Sequence, residues 1–554
     1  MSGGASRTRA RTEEWISRDP DPETRAALER LLAAGDDDAL AELFAGRLAF
    51  GTAGLRGAMG PGPARMNRLV VRQSAAGIAR HLLAEVPDAA LRGVVVAHDA
   101  RHRSGAFAAD CAEILSAHGI RVILREEAAP TPVGVFAVRH LGCAAGIVVT
   151  ASHNPPADNG LKLYMGDGAQ IVPPVDGMVA AAIDAVVADG VLVAGHHAPG
   201  PVEPMGEQVI DAYRAATLAR VPPPAAPITI ATTATHGVGG ALLAELLAAA
   251  GHRDVHPVPE QQEPDPDFPT VAFPNPEEPG VTDLLAARMR ACGADIGLAL
   301  DPDADRVAVL APIGARDVRQ LTGDDVGALL GDWLLGSVTS GPGRLVVSSV
   351  VSSSLLARVA EHHGARHAET LTGFKWLSRP AIEDPSAVQV LAYEEAIGYA
   401  IGPDVRDKDG ISAALAVASM AAAARAAGRT ILDGLDDLHR RHGAHVTDNF
   451  SLRDEAPGSA ARRAALVERL IAAPPGRIGP LATTGVRALA PDVLRIDMES
   501  GVRVIVRPSG TEPKLKCYCE AVEPVPDGDV AAARERARAR LAEVRAGLTA
   551  SLLA

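Results

Sequence analysis

Apolar segments of strand length alternate with segments of helix length, and this alternation begins three times along the 554 residues of the chain. A strand that is apolar at nearly every position is buried on both faces, which is typical of a parallel sheet covered by helices on both sides. The first group is GVVVAH (93–98), SGAFAADCAEILSAHG (104–119), IRVILR (120–125), PVGVFAVRHLG (132–142) and AAGIVVT (144–150). The second runs from PITIAT (227–232) to DIGLAL (295–300), and the third from RLVVSS (344–349) to VQVLAY (388–393). The pattern predicts three α/β units.

The C-terminal part of the chain follows a different pattern. VLRIDM (493–498), VRVIVR (502–507) and KLKCYCEAV (514–522) are closely spaced strands, and a helix follows at about 530–553. This order predicts an α+β unit on an antiparallel sheet. We therefore expect an α/β fold in which three similar α/β domains with mixed sheets precede a C-terminal α+β domain. The predicted domains are I at 1–205, II at 206–315, III at 316–440 and IV at 441–554, with proline-rich segments at 196–206 and 221–227 as seams.

Charge and composition exclude several classes of protein. The net charge of −14 argues against a nucleic-acid binder, which would carry a basic surface. The most apolar stretch (411–424) is too short to span a membrane and predicts a buried helix. Five scattered cysteines indicate neither a disulfide framework nor a zinc site, and the first fifteen residues contain no apolar signal segment. We expect a cytoplasmic protein without a membrane or nucleic-acid partner, either a monomer or a homodimer.

The first chemically unusual loop is TASHNPPADNGLKLY (150–164), which follows an apolar strand. Ligands of open α/β sheets bind at the carboxyl ends of strands, so Ser152, His153 and Lys162 are candidate site residues. The adjacent serine and histidine do not form a hydrolase triad, because neighbouring side chains on an extended chain point to opposite sides. A turn serine and a solvated lysine are the alternative interpretation.

The second loop, DPDADR (301–306), places three carboxylates at alternate positions after the strand DIGLAL. Asp301, Asp303 and Asp305 repel one another unless a cation lies among them, and oxygen ligands suit Mg²⁺ or Ca²⁺. An EF-hand is excluded, because its sixth and twelfth positions are Arg306 and Pro312 here. Three carboxylates leave a coordination position open for a phosphate oxygen. The alternative is a solvated acidic turn.

Three further segments carry binding chemistry. YEEAIGYAIGPDVRDKDG (393–410) offers the paired Glu394 and Glu395 to sugar hydroxyls and Lys408 to an anion, and TLTGFKW (370–376) adds Lys375. RPSGTEPKLK (507–516) combines an arginine, two hydroxyls, turn amides and lysines, which are the components of a phosphate clamp. Solvated turns are the alternative for each segment.

Six segments in the same order resemble those of the α-D-phosphohexomutase superfamily. They are GTAGLRG (51–57), TASHNP (150–155), DPDADR (301–306), TLTGFKW (370–376), EEAIG (394–398) and RPSGTEP (507–513). The resemblance covers nearly the whole chain and implies four domains around a central cleft. It also implies a phosphosugar mutase that moves a phosphoryl group between the 1- and 6-positions of a hexose phosphate, of the phosphoglucomutase or phosphomannomutase type.

The resemblance assigns a role to each candidate residue. Ser152 carries the phosphoryl group and, with Asp301, Asp303 and Asp305, holds one Mg²⁺ per chain. Around the transferring group lie Arg56, His153, Lys162 and Arg306, with Lys162 as the first candidate for general base and acid and His153 as the second. The substrate-binding residues are Thr372, Gly373, Lys375, Glu394, Ala396 and Lys408 in domain III, and Arg507, Ser509, Gly510 and Thr511 at the distal phosphate. A sugar 1,6-bisphosphate is the implied intermediate and activator, and sugar phosphates are the implied partners.

One position departs from the hexose-specific pattern. Ala396 stands where many hexose mutases have a serine that contacts the sugar. With GTAGLRGAMGPGPARMN (51–67), it makes the chain similar to the branch that includes phosphopentose mutases and bisphosphate-forming relatives. A phosphopentomutase or a glucose-1,6-bisphosphate synthase is therefore the alternative enzyme. A non-catalytic sugar-phosphate binder is disfavoured by the intact serine and aspartates, and a metal phosphatase by the lack of histidine-rich ligand sets for two metals.

Overall fold

The computed structural model describes residues 2–51, 54–193, 198–314, 317–453, 459–508 and 514–553, and these residues form four main sheets along the chain. Each sheet corresponds to one of the predicted units, and the α/β class with a C-terminal α+β domain is confirmed. The boundaries between the domains, as residue numbers, stay predictions.

Domain I is a mixed sheet with helices on both faces. Its strands are β1 (Leu55–Ala58), β2 (Val94–His98), β3 (Val122–Leu124), β4 (Ala145–Val149), β5 (Asp158–Met165) and β6 (Val202–Pro204). Its helices are α1 (Ser2–Arg18), α2 (Pro22–Ala34), α3 (Asp37–Leu43), α4 (Arg68–Glu85), α5 (Ala89–Arg92), α6 (Ser104–Ala117), α7 (Thr131–His140) and α8 (Val175–Asp189). The sheet order is β1-β5-β4-β2-β3-β6, in which β4, β2 and β3 run parallel as predicted, and β6, from the segment predicted as a seam, also runs parallel. Strands β5 and β1 are antiparallel additions, so a hairpin turn joins β4 to β5.

Domain II repeats this arrangement on a smaller scale. Its helices are α9 (Glu207–Leu218), α10 (Gly240–Ala250) and α11 (Asp283–Cys292), and its strands are β7 (Thr229–Thr233), β8 (Asp254–Pro257), β9 (Ile296–Leu300), β10 (Val307–Ile313) and β11 (Asp317–Gln320). The order is β11-β10-β9-β7-β8, with β8, β7 and β9 parallel and the other two strands antiparallel. The proline-rich segment 259–280 is a loop apart from a short 3-10 turn, Pro259–Gln261. Because β9 and β10 are antiparallel neighbours, the hairpin turn between them carries the three aspartates.

Domain III has a sheet in the order β13-β12-β14-β15, where the first three strands are parallel and β15 is antiparallel. The strands are β12 (Arg344–Ser349), β13 (Arg366–Thr370), β14 (Val388–Glu394) and β15 (Gly398–Ile401). The helices are α12 (Gly323–Trp333), α13 (Leu355–His362), α14 (Phe374–Leu377), α15 (Arg379–Glu383), α16 (Gly410–Ala426) and α17 (Ile431–His442), and a π-helical turn extends α12 (Leu334–Val338). Thr322 and Asp325 form a capping box that starts α12.

Helix α16 contains the stretch that the sequence marks as most apolar. It is buried from Gly410 to Ala422 and belongs to a hydrophobic core that also includes residues of domains I and II. Taken singly, none of the helices in the described part of the chain is both long and apolar enough to cross a membrane. By length and composition, α16 and α17 would qualify as a pair bent by 85°.

Domain IV is an antiparallel sheet in the order β16-β21-β20-β19-β18-β17 with helices packed on it. The strands are β16 (Ala444–Arg453), β17 (Arg477–Ile478), β18 (Leu481–Ala490), β19 (Val493–Met498), β20 (Val502–Pro508) and β21 (Lys514–Glu523). The helices are α18 (Ser459–Ala472) and α19 (Val530–Leu553), with a 3-10 turn at Glu499–Gly501. The domain has its own core, and a small apolar cluster of Val350 and Val351 with Val493, Ile505 and Tyr518 joins it to domain III.

Candidate active site

Ser152 lies in the turn between β4 and β5, at the carboxyl end of a buried parallel strand. Its backbone is left-handed, with φ of +53°, and its side chain is buried. The hydroxyl donates to Asp301 Oδ2 at 2.9 Å and lies 3.2 Å from His153 Nδ1. Because Asp301 belongs to domain II, this hydrogen bond joins the two predicted loops across a domain boundary.

Three aspartates of the second loop converge on the same point. Asp301, Asp303 and Asp305 are fully buried, and one oxygen atom from each lies within 4.8 Å of the others. Burial raises the pKa of Asp301 well above its usual value, and the two neighbouring carboxylates add to this rise. Burial opposes ionisation of Asp303 too, but Lys162 holds the pKa of that carboxyl below its usual range. The cluster therefore crowds three carboxyl groups into a site with little solvent, where burial and mutual repulsion disfavour the charged form of Asp301.

Two lysines from different domains reach these carboxylates. Lys162, on β5, donates to Asp303 Oδ2 at 2.8 Å and to Asp305 Oδ2 at 2.7 Å. Burial opposes its charge, yet the two carboxylates raise the pKa of Lys162 above its usual value. Lys408, from domain III, lies 3.3 Å from Asp305 Oδ2 and 3.1 Å from Asp407 Oδ1. Both side chains are positively charged at neutral pH as the structure stands.

Arg56, His153 and Arg306 complete the surroundings of Ser152. Arg56, on β1, donates to Asn154 Oδ1 at 3.1 Å, and the pairing of β1 with β5 places it beside the serine turn. Arg306 donates from its backbone to Asp301 Oδ1 at 3.0 Å and from its side chain to the carbonyl of Ala396 at 3.0 Å. Burial lowers the pKa of His153 well below its usual value, and both arginines lower it further. His153 is thus uncharged at neutral pH.

Domain III presents its predicted residues at the ends of strands β13 and β14. Thr372 and Gly373 precede helix α14, which carries Lys375. Burial lowers the pKa of Lys375. Glu394 ends β14 and is buried, and its Oε1 lies 3.1 Å from the position that a Cβ on Gly398 would take.

Domain IV contributes Arg507 at the end of β20. Its guanidinium donates to the Tyr518 hydroxyl at 3.0 Å and interacts electrostatically with Glu395 and Glu394. The predicted clamp residues Ser509, Gly510 and Thr511 lie outside the described residues. The structure therefore brings Arg507 toward the sugar-site candidates of domain III.

The chain matches one family along most of its length. Residues 47–189, 212–314 and 322–440 match the descriptions "Phosphoglucomutase/phosphomannomutase, alpha/beta/alpha domain" I, II and III. Residues 455–537 match the description "Phosphoglucomutase/phosphomannomutase, C-terminal domain". The chain belongs to the phosphoglucomutase/phosphomannomutase family. The predicted membership of the α-D-phosphohexomutase superfamily is confirmed.

Relatives in this family span nearly the whole chain but bear different names. A Haemophilus influenzae protein named "Probable phosphomannomutase" is 37% identical over 470 residues, covering 82% of this chain and 93% of that protein. The human protein named "Phosphopentomutase" is 33% identical over 582 residues, covering 95% of this chain and 93% of that protein. A solved Burkholderia thailandensis structure, described as a phosphoglucomutase/phosphomannomutase family protein, has a TM-score of 0.70 at 22% identity and covers 91% of this chain and 98% of its own. That structure shares the fold.

The aspartate cluster of this family member fits a metal ion. Asp303 Oδ1 and Asp305 Oδ1 are buried and have no hydrogen-bond partner, although a second oxygen of each pairs with Lys162. Unpaired buried carboxylate oxygens are costly, and a hard cation with oxygen ligands would satisfy both. The donor set is entirely oxygen, which suits Mg²⁺ better than zinc or copper.

Sequence reasoning missed several residues that hold the site together. Thr131, at the start of α7, donates its hydroxyl to Asp303 Oδ2 at 2.7 Å and its backbone N–H to the Asp303 carbonyl at 2.9 Å. Arg101, in the loop after β2, donates to the backbone of the serine turn. Asp99 precedes it and ends an apolar strand, so the strand-then-polar-loop signal that identified Ser152 also applied there.

Proposed function

We propose that this family member is a phosphosugar mutase that carries a phosphoryl group on Ser152. One observation supports this most directly. The Ser152 hydroxyl of domain I donates to Asp301 of domain II, within a pocket where Lys162, Arg56 and Arg306 supply positive charge. A turn serine without a function would not require three buried aspartates from another domain around it.

Phosphoryl transfer requires this kind of charge arrangement. Phosphate monoesters are among the slowest substrates in water, and enzymes accelerate their reactions by up to ~10²¹-fold, mainly through positioning and electrostatic stabilisation. In the proposed reaction a sugar hydroxyl attacks phosphorus, and the bond from phosphorus to Ser152 Oγ breaks. Arg56 and Arg306 stabilise the negative charge on the transferring oxygens. The sugar hydroxyl loses a proton, and Ser152 Oγ gains one.

Lys162 and His153 are the candidates for moving these protons. Lys162 is charged beside Asp303 and Asp305, so it can donate a proton to a leaving oxygen as it stands. It becomes an acceptor more readily when those carboxylates bind a cation instead. His153 is uncharged, and its Nδ1 lies 3.2 Å from Ser152 Oγ, so it can accept a proton directly. We keep Lys162 as the first candidate for both roles and His153 as the second.

The proposed metal ligands are Asp301, Asp303, Asp305 and, once phosphorylated, Ser152. Mg²⁺, when bound there, would polarise the phosphoryl oxygens and neutralise their charge. Lys162 and Thr131 fix the Asp303 carboxylate, so the chain orients this ligand before any cation arrives.

Domains III and IV are proposed to hold the rest of the substrate. Glu394 accepts hydrogen bonds from sugar hydroxyls, and Lys408 and Lys375 attract the negative charge of the sugar phosphate. Thr372, Gly373 and Ala396 line the sugar position. Arg507 binds the phosphate that is not reacting, together with Ser509, Gly510 and Thr511. The bisphosphorylated intermediate turns around, so this clamp receives either phosphate in turn.

We propose a hexose phosphate, transferred between its 1- and 6-positions, as the substrate. The relative named "Probable phosphomannomutase" supports a hexose, with 37% identity. A pentose phosphate is the second candidate, because Ala396 offers no hydroxyl to a sugar and a relative over 95% of the chain is named "Phosphopentomutase". A bisphosphate synthase on the same fold is the third candidate. Transfer of the phosphoryl group from Ser152 to a sugar phosphate gives a bisphosphorylated sugar, and release of that sugar would make it the product.

The proposal predicts phosphorylated Ser152 and a dead Ser152→Ala variant. Peptide mapping by mass spectrometry should find phosphate on Ser152 after incubation with glucose 1,6-bisphosphate, and the variant should accept none. Mutase activity should fall by at least about 10⁴-fold in the variant, because the covalent step is lost. Ser116→Ala, which removes another buried hydroxyl of domain I, one that donates to the Gly200 carbonyl, serves as the matched control.

The same assay identifies the sugar. Glucose 1-phosphate, mannose 1-phosphate and ribose 1-phosphate are compared at equal concentration, each with trace glucose 1,6-bisphosphate. A higher kcat/KM for ribose 1-phosphate would replace the hexose assignment and leave the chemistry in place. Full activity in Ser152→Ala would refute the phosphoserine mechanism itself.

A further inference from the structure

We propose that Asp99, Thr150 and Arg101 form a positioning device that holds the Ser152 backbone in its strained conformation and thereby aims the hydroxyl at Asp301. The inference deepens the proposed function and rests on it for its catalytic meaning. The positions of the three side chains are defined by hydrogen bonds within domain I and do not depend on the proposed function. We call these three residues the serine clamp.

The backbone at Ser152 needs support. A non-glycine residue with φ near +53° is in a sparsely populated region, and such strain persists where the surroundings enforce it. The Ser152 turn has few backbone hydrogen bonds of its own, and Asn154 N–H to the Ala151 carbonyl at 3.1 Å is one of them. Side chains from elsewhere in domain I must therefore fix it.

Thr150 fixes the peptide group on the N-terminal side of the serine. Its Oγ1 accepts a hydrogen bond from the Ser152 N–H at 2.7 Å and donates to Asp99 Oδ2 at 2.6 Å. A hydroxyl is required for this relay, because it must accept from one group and donate to another. Thr150 and Asp99 are both buried, so water does not substitute for either partner.

Arg101 fixes the peptide group on the C-terminal side. Its guanidinium donates to the carbonyls of Ser152 and Asn154 through one nitrogen, and to the carbonyl of Pro155 at 2.8 Å through the other. The side chain is buried. One planar fork therefore holds three carbonyls of the same turn in register.

Asp99 connects the two arms. Its Oδ2 accepts from Thr150 and lies 3.4 Å from Arg101 Nε, and its Oδ1 accepts from the Arg101 backbone at 3.1 Å and from Ser104 Oγ at 2.6 Å. The carboxylate sits at the end of β2, next to β4, so the parallel pairing of these strands sets its distance from the serine. The serine clamp thus fixes the position of Ser152 relative to strands β2 and β4.

The clamp has a catalytic consequence. In-line transfer depends on the position of the serine oxygen, and a displacement of about 1 Å is enough to lower a rate by about 100-fold. None of the three side chains is assigned contact with sugar or phosphate. Their loss should therefore lower kcat and the rate of Ser152 phosphorylation while leaving KM for the sugar phosphate unchanged.

Thr150→Val tests this prediction with two matched variants. Valine keeps the shape of threonine but removes the relay, whereas Thr150→Ser restores a hydroxyl. Ser116→Ala removes a hydrogen bond of domain I outside the clamp, from the buried Ser116 hydroxyl to the Gly200 carbonyl at 2.6 Å. We expect Thr150→Val to lower kcat by about 100-fold, with KM unchanged, and Thr150→Ser to recover most of it. Ser116→Ala should lower the melting temperature comparably and keep the wild-type kcat.

A second measurement does not depend on activity. Amide hydrogen exchange of peptides across 150–158 should be faster in Thr150→Val and in Arg101→Lys, and unchanged in Ser116→Ala. If wild type lacks mutase activity, the proposed function fails, and the exchange data alone test the serine clamp. Wild-type kcat in Thr150→Val, equal loss of kcat in Ser116→Ala, or unchanged exchange in both clamp variants would overturn the inference.

Discussion

Asp324 is a buried carboxyl group whose ionisation should be visible in the stability of the protein. It lies in the first turn of α12 and accepts from the Ser353 N–H at 2.6 Å and from the Tyr393 hydroxyl at 3.1 Å. Burial raises its pKa from the ordinary value of 3.8 to about 6. Between these two values the folded protein holds a proton that the unfolded chain has lost.

This difference predicts a loss of stability as pH rises. The free energy of unfolding attributable to Asp324 should fall by about 3 kcal/mol as pH rises from about 4 to about 6, and should stay constant above that range. Asp324→Asn removes the titration, so the variant should gain stability relative to wild type at pH 7.5 but not at pH 4. Urea unfolding of wild type and Asp324→Asn at pH 4 and at pH 7.5 measures this difference in the free energy of unfolding.

Tyr393→Phe provides the control, since it removes a hydroxyl that favours the charged carboxylate. The free energy of unfolding of Tyr393→Phe should therefore continue to fall up to a higher pH than that of wild type. An Asn variant with the same pH dependence as wild type would show that Asp324 does not titrate in this range.

At the scale of elements, the hairpin of β14 and β15 has a glycine where a larger residue would contact two candidate site residues. Gly398 pairs with Glu394, and a Cβ added to it would lie 2.5 Å from Lys408 Cδ and 3.1 Å from Glu394 Oε1. Gly398→Ala must therefore displace the Lys408 side chain from its present position, although its backbone conformation permits alanine. We expect kcat/KM to fall about 10- to 100-fold, with a change in stability near 1–2 kcal/mol.

Gly485 in β18 is the matched glycine for this test. A Cβ there would have ordinary contacts at 3.9 Å, so Gly485→Ala should leave both activity and stability close to wild type. Equal activity in the two alanine variants would show that the side chains of Lys408 and Glu394 tolerate displacement, and would count against their proposed roles.

Elements whose apolar pattern is continuous were predictable from the sequence, and irregular ones were not. Strand β4 and helix α19 are where the pattern places them, because burial on one or both faces determines their residues. Helices α1, α2 and α3 were not predicted, since they lie before the first apolar strand and α1 has few apolar residues. The antiparallel strand β5 was also missed, because its sequence was interpreted as a loop around Lys162.

At the scale of the whole molecule, the sequence identified the loops that meet at the candidate site but not which of their side chains contact each other. Lys162 lies 141 positions from Asp303, and Tyr164 lies 243 positions from Asp407, to which its hydroxyl donates at 2.6 Å. Contacts of this kind depend on how domains pack against one another, and no local pattern encodes them. Ligands of α/β domains bind at the carboxyl ends of strands, so the general location of the candidate site was predictable. Which side chains contact each other across the domains was not.

The contact between domains III and IV is the last feature that bears on function at this scale. Glu520, on β21, accepts from Ser353 Oγ at 2.5 Å and from the Ser354 N–H at 2.8 Å, both in domain III. The same carboxylate accepts from Arg503 Nε at 2.6 Å within domain IV, and the Arg503 guanidinium also donates to the Ser352 carbonyl. These groups are buried, so the two domains share one charged network.

This network is connected to the proposed phosphate clamp through a single strand. Arg503 and Arg507 lie four residues apart on β20, so their side chains share one face of the strand. A shift of β20 relative to domain III would therefore move Arg507 away from Glu394 and Glu395. The position of domain IV and the affinity for the distal phosphate should change together.

Glu520→Gln tests this connection. Removing the Glu520 charge leaves Arg503 with only the longer ion pair to Glu369 at 3.6 Å, and should destabilise the attachment of domain IV by about 3 kcal/mol. We expect KM for the sugar phosphate to rise and kcat to fall, because Arg507 would be displaced from the distal phosphate, and we expect the radius of gyration from X-ray scattering to increase. Glu523→Gln is the matched control, because Glu523 lies on the same strand and pairs with Arg540 and Arg536 inside domain IV. It should destabilise domain IV without raising KM, and an equal rise of KM in both variants would rule out a specific role for the contact with domain III.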